Sequence, residues 1–158
     1  MRAVIQRVRN ASVRINGRTY ASINAGLAVL VGVAHGDSDQ DIAYMADKIV
    51  NLRILADDTG HMNRSVRDVG GDILLISQFT LIADTRKGRR PSFTGAEAPE
   101  LASELIGNLA CTLANTATPI SSLPSTERSS TTADTMSPRI PPCRSPIAFI
   151  HADSVGVM

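Results

Sequence analysis

Leu27-Ala28-Val29-Leu30-Val31-Gly32-Val33 is an unbroken apolar run, and its reading decides the fold. A run of this kind is what a β-strand buried on both faces looks like. Upstream, Asn16-Gly17 is the strongest hairpin signal in the chain, because a type I′ turn needs positive φ at both central positions. Before it, Val4, Ile5, Val8, Val13 and Ile15 lie among polar residues in a loose strand pattern over residues 2–15, with Asn10-Ala11-Ser12 as a candidate bulge. Arg18 to Ile23 reads as the return strand. Downstream, Gly70-Gly71 punctuates the chain before Asp72-Ile73-Leu74-Leu75-Ile76, a second buried strand.

Helical spacing appears twice. Asp37 and Ser38 can cap a helix carrying Ile42, Met45, Ala46, Ile49 and Val50 on one face. Pro99 suits the first turn of another, with Leu101, Ala102, Leu105 and Leu109 on its inner face. Between these, Ala56-Asp57-Asp58-Thr59-Gly60 is turn-like. The expected class is therefore α/β, with mixed, largely antiparallel sheets against packed helices and an irregular C-terminal part. Its organisation is expected to be a core over residues 1–111 and a divergent tail over 112–158. From about Thr112 to Pro146 Ser, Thr and Pro dominate and apolar periodicity vanishes. Such a stretch cannot bury enough apolar surface to offset its ordering entropy, so disorder or poor packing is expected. Pro146-Ile147-Ala148-Phe149-Ile150 is apolar enough to add an edge strand.

The chain has 158 residues and a formal charge of +1, enough for one domain with a real core. With so little net charge, any nucleic-acid contact must come from a local patch. Aromatic residues make up only 3%, without tryptophan, which argues against a platform of several exposed rings for stacking bases. Cys111 and Cys143 lack neighbours at metal spacing and suit free thiols in a reducing compartment better than a bridge. The segment Met1-Arg2-Ala3-Val4-Ile5-Gln6-Arg7 lacks the apolar stretch of a signal peptide, and no run approaches the roughly 20 apolar residues of a membrane span. A cytoplasmic protein without a membrane partner is expected.

No nucleophile elbow, Walker loop or zinc-type His/Glu pair is present. His35, His61 and His151 are isolated, and Asp57 and Asp58 fall in a turn. No metal or cofactor is called for. One region differs. The strand at 72–76 runs into Ser77-Gln78-Phe79-Thr80-Leu81, then Ala83-Asp84-Thr85-Arg86-Lys87-Gly88-Arg89-Arg90-Pro91-Ser92-Phe93. Arg86, Lys87, Arg89 and Arg90 surround a glycine whose backbone lets a phosphate approach closely. A solvated basic turn fits the charges equally well. The polar residues emerging where the buried strand ends favour a functional site.

Ser77-Gln78-Phe79-Thr80-Leu81 resembles the signature motif of the D-aminoacyl-tRNA deacylases, formerly called D-tyrosyl-tRNA deacylases. Met1-Arg2-Ala3-Val4-Ile5-Gln6-Arg7-Val8 is similar to that family's first strand. Asp47-Lys48-Ile49-Val50-Asn51-Leu52-Arg53-Ile54 and Thr85-Arg86-Lys87-Gly88-Arg89-Arg90-Pro91-Ser92-Phe93-Thr94-Gly95-Ala96 also resemble family blocks. The blocks keep the family's order and spacing over about residues 1–107. The resemblance implies a homodimer that binds the 3′-terminal adenosine of aminoacyl-tRNA and hydrolyses its ester to a D-amino acid. Glycine mischarged on tRNA(Ala) is the further substrate it implies. Thr80 would position the ester, and backbone amides at Phe79 and Thr80 would stabilise the oxyanion. Ser77, Gln78 and Phe79 would shape the adenosine site. Arg86, Lys87, Gly88, Arg89, Arg90, Pro91, Ser92 and Phe93 would line the path of the substrate.

The family carries a second motif near its C-terminus, a Gly-Pro pair with a cis peptide that rejects L-amino acids in the partner's site. This sequence holds no Gly-Pro dipeptide. Its pairs there are Ser137-Pro138, Ile140-Pro141, Pro141-Pro142 and Ser145-Pro146, where a side chain crowds a gap suited to glycine. A catalytically impaired protein that still binds the tRNA 3′ end is the alternative this loss implies. The change of character between Gly107 and Leu113 reads as a shifted reading frame. Sequencing the coding DNA is expected to reveal a Gly-Pro segment in another frame downstream; finding none in any frame rejects the shift.

Overall fold

The computed structural model describes residues 1–117 and the backbone of the strand Ile147–Ile150. In chain order the elements are β1 (Arg2–Val8), β2 (Ala11–Ile15), β3 (Arg18–Ile23), β4 (Gly26–Gly32), α1 (Asp39–Asn51), β5 (Leu55–Ala56), β6 (Met62–Arg64), β7 (Asp72–Ser77), a 3-10 turn (Phe79–Ile82), α2 (Pro99–Ala117) and β8 (Ile147–Ile150). The main sheet has the order β1-β4-β7-β8. β1 runs antiparallel to β4, whereas β4, β7 and β8 are mutually parallel neighbours. The hairpins β2–β3 and β5–β6 are antiparallel. This is the mixed α/β arrangement expected.

Alternation along β4 sorts the sheet into two faces. Leu27, Val29 and Val31 are fully buried and meet Ile73 and Leu75 of β7 in one cluster with both helices. From α1 this cluster takes Ile42, Ala46, Ile49 and Val50, and from α2 Leu105, Ile106, Leu109 and Leu113. Each such aliphatic side chain stabilises the fold by about 1.5–3 kcal/mol relative to exposure. On the other face Ile23 and Leu74 form a smaller cluster with Val8, Ala11, Val13, Ala21 and Ile76, so the β2–β3 hairpin lies across the sheet there. Cover is incomplete: Ala28 and Leu30 are half-buried and Val4 is exposed. β4 is thus fully buried on one face only.

Local chemistry explains the ends of the elements. Asn16 and Gly17 both have positive φ, at 49° and 78°, as the hairpin turn demands. Ser38 caps α1, its backbone N–H and hydroxyl both donating to Asp41 Oδ2 at 2.9 and 2.8 Å. Asp37 is drawn elsewhere, accepting from the Ala34 N–H at 2.7 Å and pairing with the Met1 ammonium.

Four expectations need correction. The chain between residues 2 and 15 is two strands of different sheets, broken at Arg9-Asn10. The register shift falls at Val13/Arg14 instead of Asn10-Ala11-Ser12. Leu101 is exposed, because the first turn of α2 stands clear of the core and only Ala102 touches it there. The apolar period of α2 also continues beyond Cys111, since Leu113 and Ala114 are buried and the helix runs to Ala117. The edge strand expected at the apolar patch is present, pairing Ile147–Ile150 with Ile73–Ile76. The expected disorder and the X-Pro pairs between 118 and 146 lie outside the described residues.

Leu75 is fully buried at the centre of the helix-facing cluster. Leu75→Ala is expected to cost about 2–5 kcal/mol, read as a lowered midpoint in urea unfolding; a loss below about 1 kcal/mol would contradict this assignment of the core.

Candidate active site

Because β4 and β7 are parallel, both end at the same edge of the sheet, with Val31 opposite Ser77. Ser77 is buried at this last pair, so its side chain belongs to the interior and not to the opening. One residue on, the Gln78 N–H donates to the Val31 carbonyl at 2.7 Å. The chain then tightens into the turn Phe79–Ile82, held by Leu81 N–H to Gln78 C=O and Ala83 N–H to Thr80 C=O, both 3.2 Å. Ile82 anchors the turn by burial, and Arg2 Nη1 donates to the Leu81 carbonyl at 3.0 Å. Gly32 makes the turn possible. A Cβ there would lie 2.9 Å from the Gln78 carbonyl oxygen and 3.1 Å from Ile82 Cγ1, so any side chain would push the turn away.

This geometry leaves Phe79 and Thr80 at the surface, Phe79 being 52% exposed. They occupy the first positions of the turn, whose N–H groups have no partner within it. Gln78 Nε2 donates to Thr80 Oγ1 at 2.5 Å. A hydroxyl that accepts in this way keeps its own proton for another acceptor. Among the described residues no carboxylate or imidazole is hydrogen-bonded to Thr80, so nothing there activates it as a nucleophile. Phe79 meets Phe93 edge to face, with centroids 5.3 Å apart, which ties the turn to the following loop.

That loop is clasped at its base. Asp84 and Ser92 exchange backbone hydrogen bonds of 2.8 and 2.9 Å, and Gly88 turns the tip at φ 118°. Lys87, Arg89, Arg90 and Pro91 are all exposed, and the three cations have no ion pair among the described residues. Arg86 differs. Its Nε donates to Asp84 Oδ1 at 2.9 Å, its Nη2 to Oδ2 at 2.7 Å, and its backbone N–H to Oδ1 at 2.9 Å. Those hydrogen bonds hold the Asp84 carboxyl down at about 2 and push the Arg86 guanidinium up. The Ser92 hydroxyl lies 3.2 Å from Thr94 Oγ1.

Of the residues singled out from sequence, Gln78, Phe79, Thr80 and Phe93 thus come together, with the basic loop beside them and Ser77 inside. Sequence reading missed Arg2, Gly32 and Asp84. Asp84 carried a usable signal, an acidic residue two positions before Arg86 that can form an Asx turn. For Arg2 and Gly32 the contacts span the fold. A cleft of about 460 Å³ between Asn24, Gly26, Leu55, Val69 and Asp72 lies at the opposite end of β4 and β7 and contains none of the motif. Among the described residues no three His, Cys, Asp or Glu side chains gather as metal ligands, and no helix is long and apolar enough to cross a membrane.

Comparison with known proteins bears on this site. The family described as D-Tyr-tRNA(Tyr) deacylase matches residues 4–125. Proteins named D-aminoacyl-tRNA deacylase are similar, one from Natranaerobius thermophilus being 59% identical over 105 residues, 66% of this chain and 70% of that relative. Another, from Desulfatibacillum aliphaticivorans, is 57% identical over 105 residues, 66% and 72% of the two chains. Among solved structures, the c-Myc DNA Unwinding Element Binding Protein is similar with a TM-score of 0.70 and 38% identity, over 73% of this chain and 78% of that one. A probable eukaryotic D-amino acid tRNA deacylase matches with a TM-score of 0.61 over 73% and 67% of the two chains. At 17% identity this last likeness is one of fold alone.

The Asp84 clasp has a pH signature. Its folded pKa is depressed, so its contribution is present above the usual carboxylate range and is lost as pH falls through about 2. Carboxyl-carbon NMR is expected to show Asp84 titrating near 2 in the native chain and nearer 3.8 in Arg86→Ala. An unchanged midpoint in the variant would assign the shift elsewhere.

Proposed function

From the premise that the chain belongs to the D-Tyr-tRNA(Tyr) deacylase family, a family of ester hydrolases, we propose that it cleaves the ester joining a D-amino acid to the 3′-terminal adenosine of tRNA. Glycine mischarged on tRNA(Ala) is a second substrate under the same proposal. The observation that carries the site assignment is the exposed turn at the exit of β7, where Phe79 and Thr80 stand at the first positions, whose N–H groups have no partner within the turn.

In this reading the carbonyl carbon of the ester sits over the turn. The N–H groups of Phe79 and Thr80 meet the oxyanion as it forms, a contact worth roughly a hundredfold or more in rate where such donors have been removed. Thr80, held by Gln78, donates its hydroxyl proton to the substrate and so fixes its position. Water attacks with help from the ribose hydroxyl of the RNA. An activated ester needs placement and charge stabilisation more than a strong base, which accounts for a site without a triad. Gln78, Phe79 and Phe93 flank the adenosine, with Ser77 supporting them from beneath. Lys87, Arg89 and Arg90 draw the phosphates, and Arg86, engaged by Asp84, shapes the loop that carries them. Such a protein works in the cytoplasm as a homodimer without cofactor or membrane. In this proposal the deacylase-like core expected over residues 1–111 extends through the end of α2 at Ala117, and the residues beyond it form the divergent part.

The missing Gly-Pro dipeptide favours a second reading, a catalytically impaired protein that binds the tRNA 3′ end without strict chiral rejection. Hydrolysis of matched D- and L-aminoacyl-tRNA by the native chain and by Thr80→Ala separates the two. Turnover is expected with a D-to-L ratio below about ten, equivalent to about 1.4 kcal/mol of discrimination. Thr80→Ala is expected to lower kcat by up to about a hundredfold with little change in KM. Binding without turnover selects the impaired reading, and a large preference for the D form contradicts the role given to the missing dipeptide.

A further inference from the structure

The first acidic residue of the chain is Asp37; before it stand Arg2, Arg7, Arg9, Arg14 and Arg18, and no lysine. Asp37 itself is engaged by the Met1 ammonium and the Ala34 N–H. Arg2 belongs to the candidate active site through its bond to Leu81. The other four are exposed and have no ion pair among the described residues. Two of them sit on the β2–β3 hairpin, whose inner face packs Val13 and Ala21 against the sheet. Ser12 and Arg14 alternate to its outer side.

The bulge in this hairpin sharpens the surface. Val13 pairs with Ala21 but Arg14 pairs with Thr19, so Tyr20 is the extra residue and is 64% exposed. Bulges commonly re-aim a side chain. Ile15 pairs with Arg18, and the Asn16-Gly17 turn fixes the register at the tip. The outcome is a ribbon with Arg14 and the Ser12 and Thr19 hydroxyls on its outer side, the exposed Tyr20 ring, and Arg18 exposed beside the turn opposite Ile15, with Arg7 on β1 and Arg9 in the link that leads into it.

We infer that the exposed β2–β3 hairpin, through Arg14 on its outer side and Arg18 beside its turn, is a second RNA contact that grips phosphates of the tRNA body, apart from the 3′-terminal ester. The inference rests on the deacylase reading for the identity of the RNA. Arginine matches phosphate with a two-pronged donor set that lysine lacks, and serine, threonine and tyrosine hydroxyls are frequent phosphate partners. An anionic membrane would find the same charges, but this hairpin exposes no large aliphatic side chain to insert: Val13 and Ile23 pack against the sheet and Ile15 is half-buried.

The test uses the full chain and the double variant Arg14→Ala/Arg18→Ala. Binding of uncharged tRNA is measured across a salt series, and kcat/KM on D-aminoacyl-tRNA and on a D-aminoacyl-adenosine ester. The variant is expected to bind tRNA at least about tenfold more weakly, with the slope of log K against log salt reduced by about 2. Hydrolysis of the small ester should be unchanged, and Arg14→Lys/Arg18→Lys should recover most of the slope. Equal tRNA affinity overturns the inference. So does an equal fall on the small ester, or a loss confined to phosphatidylserine vesicles. If the native chain hydrolyses neither ester, the deacylase reading fails while tRNA binding still decides this one.

Discussion

When β4 and β7 pair in parallel from Gly26↔Asp72 to Val31↔Ser77, two buried strands reach the same edge of the sheet, and the chain leaving β7 must turn over the end of β4. Gly32 gives that turn its room, because a Cβ at this position would meet the Gln78 carbonyl. Phe79 and Thr80 are then left at the surface at the first positions of the turn, while Ile82 holds its far end in the interior. A site assembled in this way depends on main-chain direction more than on titratable side chains. The same burial that stabilises the sheet sets the position of the turn.

Charge is distributed around this site in two ways. In the loop after the turn, Asp84 takes Arg86 as a structural partner and leaves Lys87, Arg89 and Arg90 exposed at the tip, with no ion pair among the described residues. One carboxylate thereby organises a loop whose other charges repel one another. On the β2–β3 hairpin no carboxylate intervenes, and the arginines stand on a surface whose geometry comes from strand pairing and a bulge. A net charge of +1 conceals both features, since the acidic residues all follow position 36.

Much of this was legible in the residues. The apolar runs at 27–33 and 72–76, the Asn16-Gly17 turn and the helical spacing of Ile42, Ala46, Ile49 and Val50 each carry a local signal that folding preserves. Ser77-Gln78-Phe79-Thr80-Leu81 and the basic segment after it were visible as places where polar groups follow a buried strand. The composition of 112–146 masked the continuation of α2 through Leu113 and Ala114, because a Ser/Thr-rich stretch dilutes apolar periodicity without abolishing it. The break at Arg9-Asn10 was hidden because two adjacent strands of different sheets share one alternating pattern.

By itself, then, the sequence determined which segments are strands and helices, where the hairpin closes, and the family to which the motif belongs, since all of these depend on residues near one another along the chain. Only the tertiary structure decided that Ser77 points inward, that Arg2 and Gly32 brace the turn, and that Phe93 meets Phe79. Those facts join residues from 14 to 79 positions apart, and the joining is set by how β1, β4 and β7 lie side by side. Pairing across a sheet is a property of the whole buried core, so no window of sequence contains it.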